Sequence, residues 1–242
     1  MHPLSGKVVL VTGAAKKIGK VLAQACARAG ADVAITYRES DKAAQQTLLD
    51  LGEFGRRSLA LLCDVRDPAS VRTAVAGVVE EFGRLDVLIN NAGMFATAPL
   101  ESIPIEEWDA MFETNTRGAF LMAQAAHPHL KAVRGRIINI GSLGGSHPWA
   151  THAHYCTSKA ALHMLTQTMS KAFAPEISVN CVAPGMIVNG EVQQSGYEHF
   201  AERTPMRRNG RPEEVADAVL FFATGPHFIT GQILGVDGGL GL

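Results

Sequence analysis

Residues 8–19 read VVLVTGAAKKIG, and this stretch decides the fold. Four apolar residues predict a short buried strand, small residues follow as a tight turn, and the segment ends where an amphipathic helix begins. The same alternation of short apolar runs and longer amphipathic stretches continues almost to the end of the chain. That alternation is typical of a parallel sheet covered by helices on both faces.

The whole chain divides into alternating strands and helices. Strands are predicted at 7–12, 32–37, 58–64, 87–90, 136–140, 177–183 and 232–236, and helices at 18–29, 41–54, 68–82, 105–130, 153–173 and 212–223. We therefore expect one α/β domain over 1–242, a doubly wound, Rossmann-type parallel sheet of seven strands. The weakly patterned segment 184–211 follows the sixth strand and is expected to be a substrate lid beside the ligand crevice.

Composition excludes several classes of partner and site. The formal charge of −1 and the scattered basic residues argue against nucleic acid, and no apolar run approaches the roughly 18 residues that span a membrane. The four cysteines show no C-x-x-C spacing, so we expect no metal site and a reducing, cytoplasmic location.

The first turn has the features of a phosphate-binding loop. Small residues let the backbone approach a pyrophosphate, and the start of a helix offers unpaired N–H donors. The expected contacts are Gly13, Lys16, Lys17, Ile18 and Gly19. The spacing G-x-G-x-x-G is absent, and a tight turn without a ligand remains an alternative at this point.

The end of the second strand bears on the choice of cofactor. It reads TYRES over 36–40, without an acidic residue on the strand where the 2′-hydroxyl of NAD would be bound, although Glu39 follows directly. Arg38, with Lys16 or Lys17 facing it, is expected to hold a 2′-phosphate. NADPH is therefore favoured over NADH, and solvated surface cations are the alternative.

Three further segments supply groups for chemistry: NNAG at 90–93, Ser142 after the fifth strand, and YCTSK at 155–159. Tyr155 and Lys159 are four residues apart and share one face of a helix. An ammonium beside a phenol favours the phenolate, and proton exchange near neutral pH is what carbonyl reduction requires.

With these residues in place, the sequence resembles the short-chain dehydrogenase/reductase family over nearly its whole length. The matching positions are Thr12-Gly13, Ile18-Gly19, Asp64-Val65, the NNAG tetrad at 90–93, Asn115, Ser142, Tyr155, Lys159, Pro184-Gly185 and the VDGG run at 236–239. The resemblance implies an oxidoreductase in which Tyr155 is the general acid or base and Ser142 polarises the substrate oxygen. Lys159 would lower the pKa of Tyr155 and hold the nicotinamide ribose, and Asn115 would join a proton relay.

The resemblance also implies cofactor contacts and an assembly. Asp64 and Val65 would contact the adenine, Asn90, Ala92 and Gly93 the adenosine ribose side, and Pro184, Gly185 and Val188 the nicotinamide. A homotetramer would be built from the helices around 105–130 and 153–173 with the last strand.

The substrate is left open between two chemistries. Lys17 replaces the middle glycine of the family's first turn, which resembles the pteridine reductase branch, and Phe95 offers a ring for a pterin. Ser142 is instead typical of ketone and 3-oxoacyl reductases, so a carbonyl substrate is the first choice and a pterin the second. Phe95, Leu143, His147 and Trp149 are the expected pocket residues. A non-catalytic dinucleotide sensor is a distant third, because the catalytic set is intact.

Overall fold

The computed structural model describes residues 2–188 and 197–242, and its centre is one parallel sheet of seven strands. The strands are β1 Val8–Val11, β2 Asp32–Tyr37, β3 Ser58–Leu62, β4 Val87–Asn90, β5 Arg136–Ile140, β6 Ser178–Pro184 and β7 Ile233–Val236. Their order is β3-β2-β1-β4-β5-β6-β7, so the direction of winding reverses between β1 and β4. A reversal of this kind opens a crevice at the carboxyl ends of the strands, which is where a dinucleotide binds in such sheets.

Helices cover both faces of the sheet. They are α1 Lys17–Arg28, α2 Asp41–Gly52, α3 Pro68–Phe82, α4 Ile105–Phe112, α5 Gly118–Ala132, α6 Ala153–Ala172, α7 Glu198–Arg203 and α8 Pro212–Thr224. The α/β doubly wound class and all seven predicted strands are confirmed, with ends displaced by at most two residues.

One predicted helix, 105–130, is in fact interrupted. A π turn, Glu113–Arg117, separates α4 from α5 and places Asn115 in the wall of the crevice. The sequence prediction ran one helix through this turn, whose five residues, ETNTR, are all polar. The short helix α7 was also missed, because six residues are too few to establish a period.

The strands alternate their side chains between two apolar cores. Val9 and Val11 of β1 face a core shared with α1 and α8, whereas Val8 and Leu10 face a core shared with α3 and α5. Each fully buried leucine or valine side chain contributes roughly 1.5–3 kcal/mol. This packing fixes the strand ends from which the functional residues project.

The predicted lid is only partly described. Residues 189–196 of this segment lie outside the described residues. Of its two described parts, the first is joined to the second by a hydrogen bond from Val188 N to Gly210 O at 3.0 Å. Among the described residues, no helix combines the length and the apolar character needed to cross a bilayer.

Candidate active site

The first turn is tied to the NNAG segment by four hydrogen bonds. Asn91 Nδ2 donates to Thr12 O at 2.8 Å and to Gly13 O at 3.1 Å. In return, Thr12 Oγ1 accepts from Asn91 N at 3.0 Å and from Ala92 N at 2.9 Å. The carboxyl ends of β1 and β4 are thereby held as one unit at the crevice.

The start of α1 leaves room and donors for an anion. A Cβ on Gly19 would lie 2.5 Å from Asn91 Nδ2, so only glycine allows this close approach. Within the described residues, no side chain caps the first turn of α1, whose N–H groups therefore remain available. Lys17, at the position of the absent family glycine, adopts a left-handed φ of 55°. The backbone thus keeps the glycine-type conformation although a lysine occupies it.

The cations expected at the 2′-phosphate are not all free. Arg38 Nη2 lies 2.7 Å from Glu39 Oε1, and both side chains are exposed. Lys16 and Lys17 are exposed and form no ion pair with a carboxylate in the ranges 2–188 and 197–242. Arg38 therefore already has a counter-ion in Glu39.

Asp64 and Val65 follow β3 at the same edge. Both Asp64 carboxylate oxygens accept hydrogen bonds from Arg66, which holds the pKa of Asp64 below its usual range. Val65 is buried, and a Cβ on Gly118 would lie 2.8 Å from its Cγ2. Asp64 is therefore an ionised, oriented carboxylate at the far end of the crevice.

Asn90 is the last residue of β4. Its side chain is buried, and Nδ2 donates to Asn139 Oδ1 at 2.9 Å and to Ala119 O at 3.4 Å. Side chains alternate along a strand, so Asn90 points into the core and the next residue, Asn91, reaches the first turn. The Asn90 side chain therefore faces the interior, and a contact of Asn90 with the adenosine ribose side stays a prediction.

Asn115 is buried and fully engaged. Its Oδ1 accepts from Met94 N at 2.7 Å, and its Nδ2 donates to Met94 O at 3.0 Å and to Ser158 Oγ at 3.0 Å. A Cβ on Gly93 would lie 3.3 Å from Asn115 Oδ1 and 3.7 Å from Lys159 Nζ. Asn115 thus joins the loop after β4 to the helix that carries Tyr155.

Ser142 and Tyr155 face each other. Ser142 is buried directly after β5, and its Oγ accepts from Gly144 N at 3.1 Å. Burial raises the pKa of Tyr155, while a hydrogen bond with the Ser142 hydroxyl opposes the rise. The pair can hold one carbonyl oxygen between two hydroxyl groups.

Lys159 lies near Tyr155 but is hydrogen-bonded to the backbone, and its effect on the Tyr155 pKa stays a prediction. Its Nζ donates to Ile140 O at 2.8 Å and lies 5.9 Å from the centre of the Tyr155 ring. Burial lowers the pKa of Lys159 to about 8. Burial is the largest cause of the raised Tyr155 pKa, and the Ser142 hydroxyl opposes it.

The expected pocket residues fall into two groups. Phe95 packs against Tyr155 with ring centres 4.9 Å apart, and Trp149 stacks on Tyr155 at 6.2 Å and 12°. Leu143 and His147 lie instead against the C-terminus, where a Cβ on Gly241 would be 2.6 Å from Leu143 Cδ1 and 3.1 Å from His147 Cε1. Only the first pair borders the tyrosine ring.

The segment after β6 completes the crevice. Pro184 ends β6, and a Cβ on Gly185 would lie 2.7 Å from Asp237 Cβ. After this close contact the chain continues to Val188, whose backbone N–H donates to Gly210 O. These are the positions expected to meet the nicotinamide.

Several site residues were missed from sequence. Asn91, Ser158, His152 and His163 all contact the catalytic segments, although no catalytic or cofactor role was predicted for any of them. Asn91 and Ser158 carried a signal, since they belong to the NNAG and YCTSK segments. In the part of the chain that the structure describes, no group of three His, Cys, Asp or Glu side chains is arranged to hold a metal ion.

Comparison with known proteins gives whole-chain matches. The family model described as enoyl-(acyl carrier protein) reductase matches residues 13–241. A 3-oxoacyl-[acyl-carrier-protein] reductase of Synechocystis sp. is 36% identical over 244 residues, covering 99% of both chains.

Two solved structures match equally completely. A short chain dehydrogenase from Burkholderia cenocepacia in complex with NADP is 39% identical with a TM-score of 0.91, covering 99% of this chain and 100% of that one. An NAD+-bound xylitol dehydrogenase is 31% identical with a TM-score of 0.92, covering 98% and 99%. Relatives of this fold thus hold either nicotinamide dinucleotide.

Proposed function

We propose that this chain, which belongs to the short-chain dehydrogenase/reductase family, is an NADPH-dependent reductase of ketone or 3-oxoacyl carbonyls. The observation that carries the proposal is the pairing of Ser142 and Tyr155 hydroxyl groups at the carboxyl end of β5, with Lys159 beneath them. Two hydroxyls directed at one oxygen suit a carbonyl that gains negative charge during reduction.

The first turn fits a dinucleotide. The close approach at Gly19, the uncapped N-terminus of α1 and the exposed Lys16 and Lys17 together suit a pyrophosphate. The residues that would hold the cofactor are Gly13, Lys16, Lys17, Ile18, Gly19, Arg38, Asp64, Val65, Asn90, Ala92, Gly93, Pro184, Gly185, Val188, Tyr155 and Lys159. When bound, the nicotinamide supplies the hydride.

The protein residues supply position and a proton. Ser142 donates a hydrogen bond to the carbonyl oxygen and holds it beside Tyr155, which gives up its phenolic proton to that oxygen. Lys159 stabilises the resulting phenolate once it turns from Ile140 O towards the tyrosine, and it holds the nicotinamide ribose. Asn115 helps to position Lys159 through its hydrogen bond to the side chain of the preceding residue, Ser158.

The preference for NADPH is supported by charge. Three exposed cations, Lys16, Lys17 and Arg38, lie at the ends of the first two strands. A 2′-phosphate would compete with Glu39 for Arg38, and guanidinium binds phosphate in a bidentate geometry as it does carboxylate.

A second candidate is reduction of a pterin. The exposed Phe95 ring beside Tyr155 favours it, because a flat heterocycle can stack there. The non-catalytic sensor keeps no specific observation in its favour, since Asn115, Ser142, Tyr155 and Lys159 are all in place.

We also propose a cytoplasmic homotetramer. A groove of about 480 Å³ on the outer face of α4, α5 and α6 is lined by Phe112, Phe120 and Leu165, and Met164 on the same face is 62% exposed. Leu234 of β7 is 38% exposed and would form a second contact. An apolar groove on one face and an exposed leucine on the last strand suit an assembly with two kinds of interface. The four unpaired, buried cysteines suit a reducing compartment.

The test is NADPH oxidation, followed by absorbance, with acetoacetyl thioesters, simple diketones and dihydrobiopterin. Turnover of ketones or thioesters is expected. Turnover of dihydrobiopterin alone would replace the proposal with the pterin alternative, and binding of NADPH without any turnover would favour the sensor.

A further inference from the structure

We infer that Phe95, Trp149 and His152 form an aryl-binding wall beside Tyr155, so that the preferred substrates are compact aryl ketones. The inference rests on the proposed carbonyl reduction and names the substrate class. It starts from four rings in continuous contact: Phe95 with Tyr155 at 4.9 Å, Phe95 with His152 at 5.1 Å, Trp149 with His152 at 5.4 Å and Trp149 with Tyr155 at 6.2 Å.

The wall is held in place before any ligand binds. His152 Nε2 lies 3.0 Å from Thr97 Oγ1, and His152 Nδ1 lies 3.1 Å from Thr151 Oγ1, so both ring nitrogens have partners. Ala98 N donates to Thr151 O at 3.0 Å and joins the two loops that carry the rings. A fixed ring gains contact energy on binding without losing much conformational freedom.

The wall has an open side. Phe95 is 60% exposed although it touches Tyr155, and Trp149 and His152 are only half-buried. An aromatic pair contributes roughly 0.5–1.5 kcal/mol beyond the burial of its apolar area. A planar ligand whose carbonyl carbon faces Ser142 and Tyr155 would place its ring against these exposed faces.

The wall is also uncharged. The two loops, 93–99 and 143–152, contain no Asp, Glu, Lys or Arg. Burial and the neighbouring His154 lower the pKa of His152, so its ring stays neutral at pH 7. These loops offer no cation for a phosphate or carboxylate tail, which favours a neutral aryl group over a charged acyl carrier arm.

The experiment uses acetophenone and cyclohexyl methyl ketone, which have the same number of carbons but differ in the planarity of the ring. The measured quantity is the ratio of kcat/KM for the two ketones, compared between the wild type, Phe95→Leu and Trp149→Leu. We expect the ratio to fall roughly 2- to 12-fold in each variant, because each loses one aromatic contact. Phe228→Leu, at a ring that is 99% exposed and outside the two loops, is the matched control and keeps the wild-type ratio.

Binding without turnover gives a second readout. In saturation-transfer NMR, we expect the affinity for acetophenone to fall in Phe95→Leu by a similar factor while that for cyclohexyl methyl ketone is nearly constant. An unchanged ratio in both Phe95→Leu and Trp149→Leu overturns the aryl wall while leaving carbonyl reduction intact. Failure to reduce any ketone or thioester overturns the proposed function itself, and turnover of dihydrobiopterin alone assigns the wall to a pterin.

Discussion

Lys159 Nζ donates to Ile140 O at 2.8 Å and lies 5.9 Å from the centre of the Tyr155 ring. The ammonium is buried, and its only protein partner in the described residues is this carbonyl. Burial of this ammonium therefore lowers the free energy of unfolding, because the charged group loses its hydration.

The first prediction concerns this destabilisation. Lowering the Lys159 pKa from 10.5 to about 8 corresponds to roughly 3 kcal/mol of unfolding free energy at neutral pH, less about 1 kcal/mol for the bond to Ile140. Lys159→Met should therefore raise Tm by roughly 4–8 °C while abolishing turnover.

The pH dependence checks the cause. The unfolded chain keeps the Lys159 proton up to pH 10.5 and the folded chain only up to about 8, so wild-type stability should rise between these values. Lys159→Met should lack this rise. A variant less stable than wild type at neutral pH would contradict the argument.

Tyr155→Phe is predicted to bind NADPH normally and to lose kcat by about 10²- to 10⁴-fold, because only the proton donor is removed. Steady-state kinetics and fluorescence titration of NADPH measure the two effects separately. Tyr37→Phe is the control, since the Tyr37 hydroxyl bonds only to the exposed Asp41 at 2.8 Å. Near-normal kcat in Tyr155→Phe would remove this residue from the mechanism.

His163 is predicted to limit stability in acid. Burial, with the Lys159 charge, lowers its pKa to about 4 from 6.5. As the pH falls from 6.5 to 4, His163 binds a proton in the unfolded chain but not in the folded protein. The free energy of unfolding should therefore fall by roughly 3 kcal/mol across that range.

Urea unfolding at several pH values measures the loss. His163→Gln should flatten the pH dependence, whereas His199→Gln, at an exposed residue, should leave it unchanged. Equal slopes in wild type and His163→Gln would show that other groups are responsible.

Cofactor preference should depend on the Arg38–Glu39 pair. Arg38→Asp is predicted to weaken NADPH by roughly 10- to 100-fold and NADH much less, because a charge-assisted bond to phosphate is lost. Glu39→Gln should tighten NADPH severalfold, since it removes the competing carboxylate at 2.7 Å. Kd values for both cofactors decide, and equal losses in Arg38→Asp would exclude a role in choosing the phosphate.

Lys17→Gly should separate stability from affinity. A lysine in the left-handed conformation destabilises the folded state by roughly 1–2 kcal/mol, and glycine removes this strain. Glycine also makes the unfolded chain more flexible, which offsets part of the effect, so we expect a net stabilisation of about 0.5–1 kcal/mol. NADPH should bind more weakly because a cation is lost. Ala substitution at Lys16, which is extended, should weaken NADPH without raising Tm.

The sequence was sufficient for the fold because parallel strands buried on both faces are nearly continuous apolar runs. It was also sufficient to predict that Ser142, Tyr155 and Lys159 lie near one another, since Ser142 follows β5 and the other two lie four residues apart in the first turns of α6. It did not predict that the Asn91 side chain bonds to the first turn while the Asn90 side chain points inward, or that Lys159 Nζ donates to Ile140 O.

Only part of the aryl-binding wall could be predicted from the sequence. Phe95 and Trp149 were expected in the pocket because of their residue type. His152 is held beside them by hydrogen bonds to Thr97 and Thr151, and no sequence motif indicates these bonds. Contacts between loops depend on tertiary structure and leave no periodic trace.

The imidazole of His163 lies where side chains at Gly141 and Gly145 would be, since a Cβ at either position would be 2.5 Å from the ring. Gly141 and Gly145 lie on either side of Ser142 in the chain, and both meet the ring of His163. The effect of a substitution at position 141 or 145 therefore depends on the residue at position 163. Enlarging either glycine alone should be rejected. A larger residue at Gly145 should be tolerated together with a small residue at position 163, whereas one at Gly141 would also need room at Cys181, whose Sγ would lie 2.6 Å from the added Cβ. Libraries that vary the serine loop one residue at a time would therefore miss productive combinations that are reached only by changing helix α6 simultaneously.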